Sequence, residues 1–269
     1  MLRFLIDHGL LNVYYLDGFF FALFALWEWL GPRHRSVVGR PQRWVSNVGI
    51  VLVNDLMMRL VFTLLTVDLS YIAWKNGWGL LNHLKLSPMV SFLLTFLLLD
   101  FVAYAQHILF HKVPYAWRFH RMHHSDLEVD LTTGTRFHPF EALVSFIIRQ
   151  GVVLVLGPLP AGVVIFDSLV IPFSFFNHAN IRYPQWLDWV LRLGLVTPDM
   201  HRVHHSTDWG ESNSNFGFIF PWWDFLFRTY VARPKAPQES MEIGLKEFRS
   251  PKFLGLGWLL AFPFLKKGD

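Results

Sequence analysis

The sequence predicts an all-α fold: a polytopic membrane helical bundle of about four spans, carrying a cytoplasmic, histidine-rich helical cap. Three observations predict it: too little charge for a water-facing surface, apolar blocks of membrane length, and histidines gathered where those blocks end. Of 269 residues, 53% are hydrophobic and 16% charged, against about 25% charged in a soluble domain; mean hydropathy is +0.33. The 27 Phe and 12 Trp suit anchoring at a membrane interface. A net charge of +4 reads as positive-inside bias on cytoplasmic loops. No Lys/Arg stripe with interleaved aromatics marks a nucleic-acid groove, so no nucleic-acid partner is expected. Cysteine is absent, which excludes disulfides, thiolate metal sites, protein-held iron–sulfur clusters and cysteine nucleophiles. Any metal site must therefore use nitrogen and oxygen ligands.

A span needs about 20 apolar residues. Residues 11–30 supply the first block, and Gly31-Pro32 ends it. Asp7 before the block and Asp17 inside it argue against a signal peptide. Residues 48–74 form the second block. It carries Asp55 and Arg59 four apart on one helical face, either a structural ion pair or part of a site. Residues 88–110 form the third. The fourth, residues 140–176, is long and broken at Gly157-Pro158-Leu159-Pro160, which predicts a helical hairpin entering and leaving on one side. Residues 253–265 are short for a span, suiting an interfacial or dipping segment.

Arg33, Arg35, Arg40 and Arg43 follow the first block and place that loop in the cytoplasm; Lys112, Arg118, Arg121 and Arg136 follow the third. With the fourth block a hairpin, both histidine-rich stretches share that side. The absence of a mitochondrial-type presequence or retention signal leads to the expectation of a bacterial inner membrane.

Ten of the 13 histidines fall between His107 and His205. His107 and His111 close the third block at a spacing that shares a helix face, and Asp100 and Tyr104 continue that face. His120-Arg121-Met122-His123-His124 and His201-Arg202-Val203-His204-His205 repeat one box, His-Arg-X-His-His. Offsets of three and four put the three rings of a box on one side of a helical turn. His138 and His178 stand singly, each a candidate ligand or a residue holding a ligand from behind. His8, His34 and His83 read as interfacial or loop residues. One first-row metal takes four to six ligands, so eight to ten imidazoles suit two metals. Imidazole serves iron, zinc, copper and nickel alike, so ligand type leaves the metal open. Ligating rings usually donate their other N–H to a carboxylate or carbonyl; Asp126, Asp130, Glu141, Asp199 and Asp208 are near enough in sequence to accept.

On these residues the chain resembles the fatty acid hydroxylase / sterol desaturase superfamily. The likeness rests on Asp-X3-Tyr-X2-His-X3-His from Asp100 to His111, on the two boxes, on Arg-X-His-Pro-X-Glu over residues 136–141, and on Asn-His-Ala-Asn over residues 177–180. It covers about residues 90–230 of a single membrane-embedded domain spanning residues 1–269. The resemblance implies a di-iron enzyme that uses O2 to hydroxylate or desaturate a lipid, with electrons from a separate donor protein. Zinc is expected as a substitute in purified material. Carried over, His107, His111, His120, His123, His124, His201, His204 and His205 are the core metal ligands, and His178 matches a further one. His138, Asp100, Tyr104, Glu141 and Asp199 remain candidate ligands or supports. No catalytic residue beyond the metal centre is expected. Ser174 stands where some fatty acid hydroxylases have a paired histidine, which counts against that assignment specifically. Two competing classes are a histidine-rich metal transporter and a zinc-dependent membrane hydrolase.

Overall fold

The structure, a computed structural model, describes residues 2–36, 38–62 and 65–266, with side chains from Val13 onward. The reading of His8 as interfacial falls on a side chain outside that set. Among the described residues there is no sheet. Two isolated antiparallel bridges occur, Pro32 with Ile181 and Ser206 with Ile243. The first half of the chain forms α1 (Leu2–Leu30), α2 (Arg40–Val61), α3 (Thr66–Lys75), α4 (Leu80–His83) and α5 (Pro88–Lys112). There follow α6 (Pro114–His120), α7 (Pro139–Leu156), α8 (Pro160–His178), α9 (Gln185–Leu191), α10 (Pro198–His204), α11 (Trp209–Ser212), α12 (Trp222–Phe227) and α13 (Leu256–Ala261). Proline opens α5, α6, α7, α8 and α10, where its missing N–H is no loss and its φ is preset. Ser87 and Thr197 cap two of these starts, accepting from Val90 N (3.4 Å) and Met200 N (3.3 Å).

Among the described residues, five segments are long and apolar enough to cross a bilayer: Val13–Leu30, Arg40–His83, Pro88–Lys112, Pro139–Leu156 and Pro160–His178. The second comprises α2, α3 and α4. The broken fourth block becomes two helices, α7 and α8. Gly157 ends α7 with φ +59°, and a Cβ there would stand 2.0 Å from the Trp78 carbonyl oxygen, so this turn requires glycine. The start of α7 and the end of α8 both arrive at the histidines, so the hairpin returns to the side it left. α3 packs against both arms.

Burial runs opposite to that of a soluble protein. Leu52, Leu60 and Val155 are 64%, 77% and 69% exposed, while Arg43, Asn47, Arg136 and most of the clustered histidines are buried. An apolar exterior around a polar interior is what lipid solvent selects. The interior layer is stitched by charge. The Arg43 guanidinium, on α2, donates to Asp126 (2.7 and 2.9 Å), Asp130 (2.7 Å) and the Glu128 carbonyl (2.8 Å). Arg33 donates to Asp199 (3.2 Å) and pairs with Glu239. Two of the four arginines expected as loop charges are thus members of ion pairs that organise the layer. Asp55 and Arg59 form an exposed i,i+4 pair at 2.8 Å, with Tyr14 as a further partner.

The segment at residues 253–265 does not cross. α13 has six residues, about 9 Å at the helical rise, against a bilayer core of about 30 Å. It lies on the histidine layer instead, in a cluster of Ile50, Met122, Phe253, Leu259 and Phe262.

Candidate metal centre

Each histidine reaches the centre from an element end. His107 and His111 occupy the last turns of α5, His120 ends α6, His123 and His124 lie in the 3-10 turn His123–Ser125, and His178 ends α8. His201 and His204 lie on α10, with His205 at its C-cap. Both boxes therefore straddle a helix end rather than lying on one face. The consequence is a division of labour. His107, His111, His120, His124 and His204 form one group; His123, His178, His201 and His205 form a second. Within each group one nitrogen per ring lies within 4.8 Å of all the others. The groups adjoin, with the His124 and His205 ring centroids 4.6 Å apart.

The rings are oriented from outside. His120 Nδ1 donates to Glu141 Oε1 (2.6 Å), His204 Nδ1 to the Ser214 carbonyl (2.7 Å), His107 Nδ1 to the Phe216 carbonyl (3.0 Å) and His178 Nδ1 to the Ser174 carbonyl (2.8 Å). Such bonds fix the tautomer and leave Nε2 as a lone-pair donor facing inward. The Nε2 atoms of His120, His204 and His205 are buried with no hydrogen-bond partner, which is costly unless something else accepts the lone pair. Nε2 of His111 stands 3.1 Å from Nε2 of His124, and Nε2 of His178 stands 3.2 Å from His123 and 3.0 Å from His201. Two nitrogens bound at about 2.1 Å to one metal, a right angle apart, are separated by about 3.0 Å. The residues present fit two nitrogen-ligated metals, one in each group.

Electrostatics agree. Burial, reinforced by neighbouring imidazoles, holds His123, His124, His201 and His205 well below the ordinary histidine value. Burial takes His204 to about 3, against the opposing pull of the Ser214 carbonyl. These rings are neutral at pH 7, the form that binds metal. Phe137 stacks on His123 (4.7 Å, 13°), and Phe216 lies 5.1 Å from His111 and 5.4 Å from His204; the aromatic shell keeps the centre dry.

The other candidates fall elsewhere. His138 joins neither group: its Nδ1 accepts from Phe140 N (3.2 Å) and its Nε2 donates to the Leu260 carbonyl (3.1 Å), capping α7 and seating α13. Asp100 accepts from Ile219 N (2.9 Å), Phe220 N (3.3 Å) and Trp223 Nε1 (2.8 Å). Tyr104 bonds Thr229 at 2.9 Å. Both therefore tie residues 216–229 to α5, which places the Phe216 carbonyl against His107. Of the candidate acids, Glu141 alone meets a histidine of the two groups. Asp199 pairs with Arg33, and Asp208 caps α11 and pairs with Lys235. Asp126 and Asp130 pair with Arg43. Burial pushes the Asp126 carboxyl up, but Arg43 and Arg136 outweigh it and hold it well below the carboxylate range. His83 is exposed.

Three residues support the centre in roles that the sequence did not indicate, Arg136 and Asn177 having stood there only as motif or loop residues. Arg136 donates to the Met122 carbonyl (3.1 Å) and Ser125 Oγ (2.7 Å), bracing the His120–His124 box. Asn177 Nδ2 donates to the Phe218 carbonyl at 2.7 Å. Buried Glu28 accepts from Leu131 N and Asn180 N, both 2.8 Å, tying α1 to two segments beside the centre. An acid inside an apolar block was the available signal for Glu28.

Fold and site together define a membrane-embedded, all-helical, multi-histidine metal protein. The fatty acid hydroxylase family model matches residues 92–229, slightly more than half of the chain, and the chain belongs to that family. Membership makes it an oxidoreductase of the lipid hydroxylase and monooxygenase class. It is 29% identical over 272 residues to an ornithine lipid hydroxylase of Rhizobium tropici, covering 96% of this chain and 76% of that protein. It is 31% identical to an alkylglycerol monooxygenase of Xenopus tropicalis over 163 residues, 60% of this chain and 35% of the relative. A cholesterol 25-hydroxylase of Mus musculus is 29% identical over 145 residues, 53% of this chain and 47% of the relative. The chain thus spans about three quarters of the first and between a third and a half of the other two. No solved structure matches it.

Proposed function

We propose that this chain is a di-iron monooxygenase that hydroxylates an unactivated C–H bond in the hydrocarbon part of a membrane lipid bearing a polar headgroup. The observation that carries the reading is the pair of adjoining nitrogen-only groups, five and four imidazoles of which all but the half-buried His107 are buried, with the Nε2 atoms of His120, His204 and His205 lacking partners. All nine histidines are proposed as ligands, and the proposal puts the centre on the cytoplasmic side, a reading supported by the arginines that follow the first and third apolar blocks. The near-complete match to a lipid hydroxylase favours hydroxylation over desaturation and a polar membrane lipid as substrate.

The net reaction takes R–H, O2, two electrons and two protons to R–OH and water, the electrons coming from a separate donor protein. Bound iron would supply oxygen activation and hydrogen abstraction. The chain does the rest. Glu141 holds the Nδ1 proton of His120 and so keeps its Nε2 directed inward. Phe110, Phe137 and Phe216 pack on the imidazoles and exclude water, which protects reactive species from side reactions. The apolar exterior of the helices keeps the lipid tail in contact with the protein up to the histidine layer.

The test is anaerobic loading with ferrous iron, a reductant, a polar-lipid extract and 18O2. Mass spectrometry should find a lipid with one 18O in a new hydroxyl. Oxygen incorporated from water, or no oxygenated lipid with a fully loaded centre, would contradict the reading.

A further inference from the structure

We infer that Trp209 and Trp117 mark the electron entry of this enzyme, at a surface shaped for an acidic one-electron donor protein; the inference rests on the oxygenase reading above. Trp117, on α6, is a half-buried ring that packs on the five-histidine group. Its centroid lies 4.9 Å from His111 and 5.4 Å from His124. On its other side Trp209, at the start of α11, meets it edge-on at 5.4 Å. Trp209 is 57% exposed. Two ring-to-ring steps thus join solvent to a histidine of the metal group, through π-systems in contact.

The surface around this pair has the shape and charge of a docking site. Trp117 and Trp209 line a cavity of about 360 Å³, together with Arg121, Lys246 and Phe248. Lys246 is exposed, the exposed Arg118 lies near enough to Arg121 to act on its charge, and Lys112 donates to Asn213 (3.1 Å), next in sequence to the lining residue Ser212. The acids are largely committed: Asp208 is held by Lys235, and Glu242 by Arg249. Glu247 lines the cavity and lies near Arg121. The rim carries an excess of cations, and a positive patch steers an acidic partner. An exposed tryptophan at the centre of a charged rim is the usual make-up of an energetic anchor. In the transfer, the reduced donor is oxidised by one electron per encounter and the oxidised metal centre is reduced by one. Two encounters supply the electrons of one turnover.

The experiment uses the iron-loaded protein in detergent and an acidic plant-type [2Fe–2S] ferredoxin, chemically reduced, as probe. Stopped-flow absorbance follows ferredoxin oxidation, a readout independent of product. Wild-type protein should oxidise it at a rate that falls with salt. Trp209→Ala should slow this by about tenfold or more, and Lys246→Glu or Arg118→Glu should slow association with a weaker salt dependence. All three variants, chemically reduced beforehand and then given O2, should form wild-type amounts of hydroxylated lipid in a single turnover. Wild-type rates of ferredoxin oxidation in Trp209→Ala and Lys246→Glu would overturn the inference. So would a wild-type chain that fails to oxidise ferredoxin. Loss of binding to anionic phosphatidylglycerol vesicles with unchanged ferredoxin oxidation would also overturn it, assigning the patch to lipid. Absence of lipid product from pre-reduced wild-type protein, with ferredoxin oxidation intact, would count against the oxygenase reading and leave the entry route standing.

Discussion

The two histidine groups are built from the same boxes and are held differently. In the five-histidine group three rings have their outer nitrogen anchored, one of them to the Glu141 carboxylate, and the Nδ1 atoms of His111 and His124 have no partner. In the four-histidine group only His178 donates to a carbonyl, while the outer nitrogens of His123 and His201 have no partner. Anchored rings are pre-oriented, and a carboxylate behind an imidazole makes it more basic. A repeated sequence box can thus serve two unequal sites. The five-histidine group should bind the tighter, more rigid metal, and the four-histidine group the one with more room for an exchanging ligand.

The comparison can be broken most forcibly by removing a ring from either side. His205→Ala in the four-histidine group and His124→Ala in the five-histidine group should each abolish lipid hydroxylation, by more than the about 100-fold that loss of an outer partner costs. Oxygen uptake and product analysis check this. Turnover by either variant would show that one metal suffices. Arg43→Met should affect both groups at once. It strands Asp130 without its cation and leaves Asp126 only Arg136, at 3.6 Å, a loss of about 3–5 kcal/mol for a broken buried pair, read as a lowered unfolding temperature in detergent.

Smaller changes sharpen the contrast. Glu141→Gln should weaken metal binding about 10–100-fold in the five-histidine group alone, measured by competition with a chelator. In the wild-type protein, stepwise chelation should empty the four-histidine group first, giving a one-metal intermediate. The smallest effect lies outside both groups. Burial, with Arg202 and Arg33 nearby, holds His34 down to about 4. The unfolded chain then binds more protons than the folded one between about pH 4 and 6.5. Stability therefore rises with pH through that window and is lost as pH falls. His34→Gln should flatten this slope in unfolding curves.

The nine clustered histidines were legible because metal sites need specific side chains at helical offsets, and such offsets survive in a linear string. Their division into five and four was not. It depends on helix ends falling inside the boxes, so that His123 turns away from His120 and His124. The hairpin was legible from Gly157 and two prolines. Arg43 was misread as a loop charge, because its partners Asp126 and Asp130 lie more than eighty residues away and nothing local distinguishes a buried arginine from a cytoplasmic one. His138 shows the converse. Its place beside Pro139 marks a helix start as well as a ligand motif, and the cap is the role its two nitrogens take up.

The most direct test is the metal content of three proteins, purified from iron-replete cells and measured by elemental analysis alongside protein concentration. The wild-type chain should carry about two irons, and His205→Ala and His124→Ala about one each. A single iron in the wild-type chain, or full retention of two in both variants, would contradict a centre divided between five and four histidines.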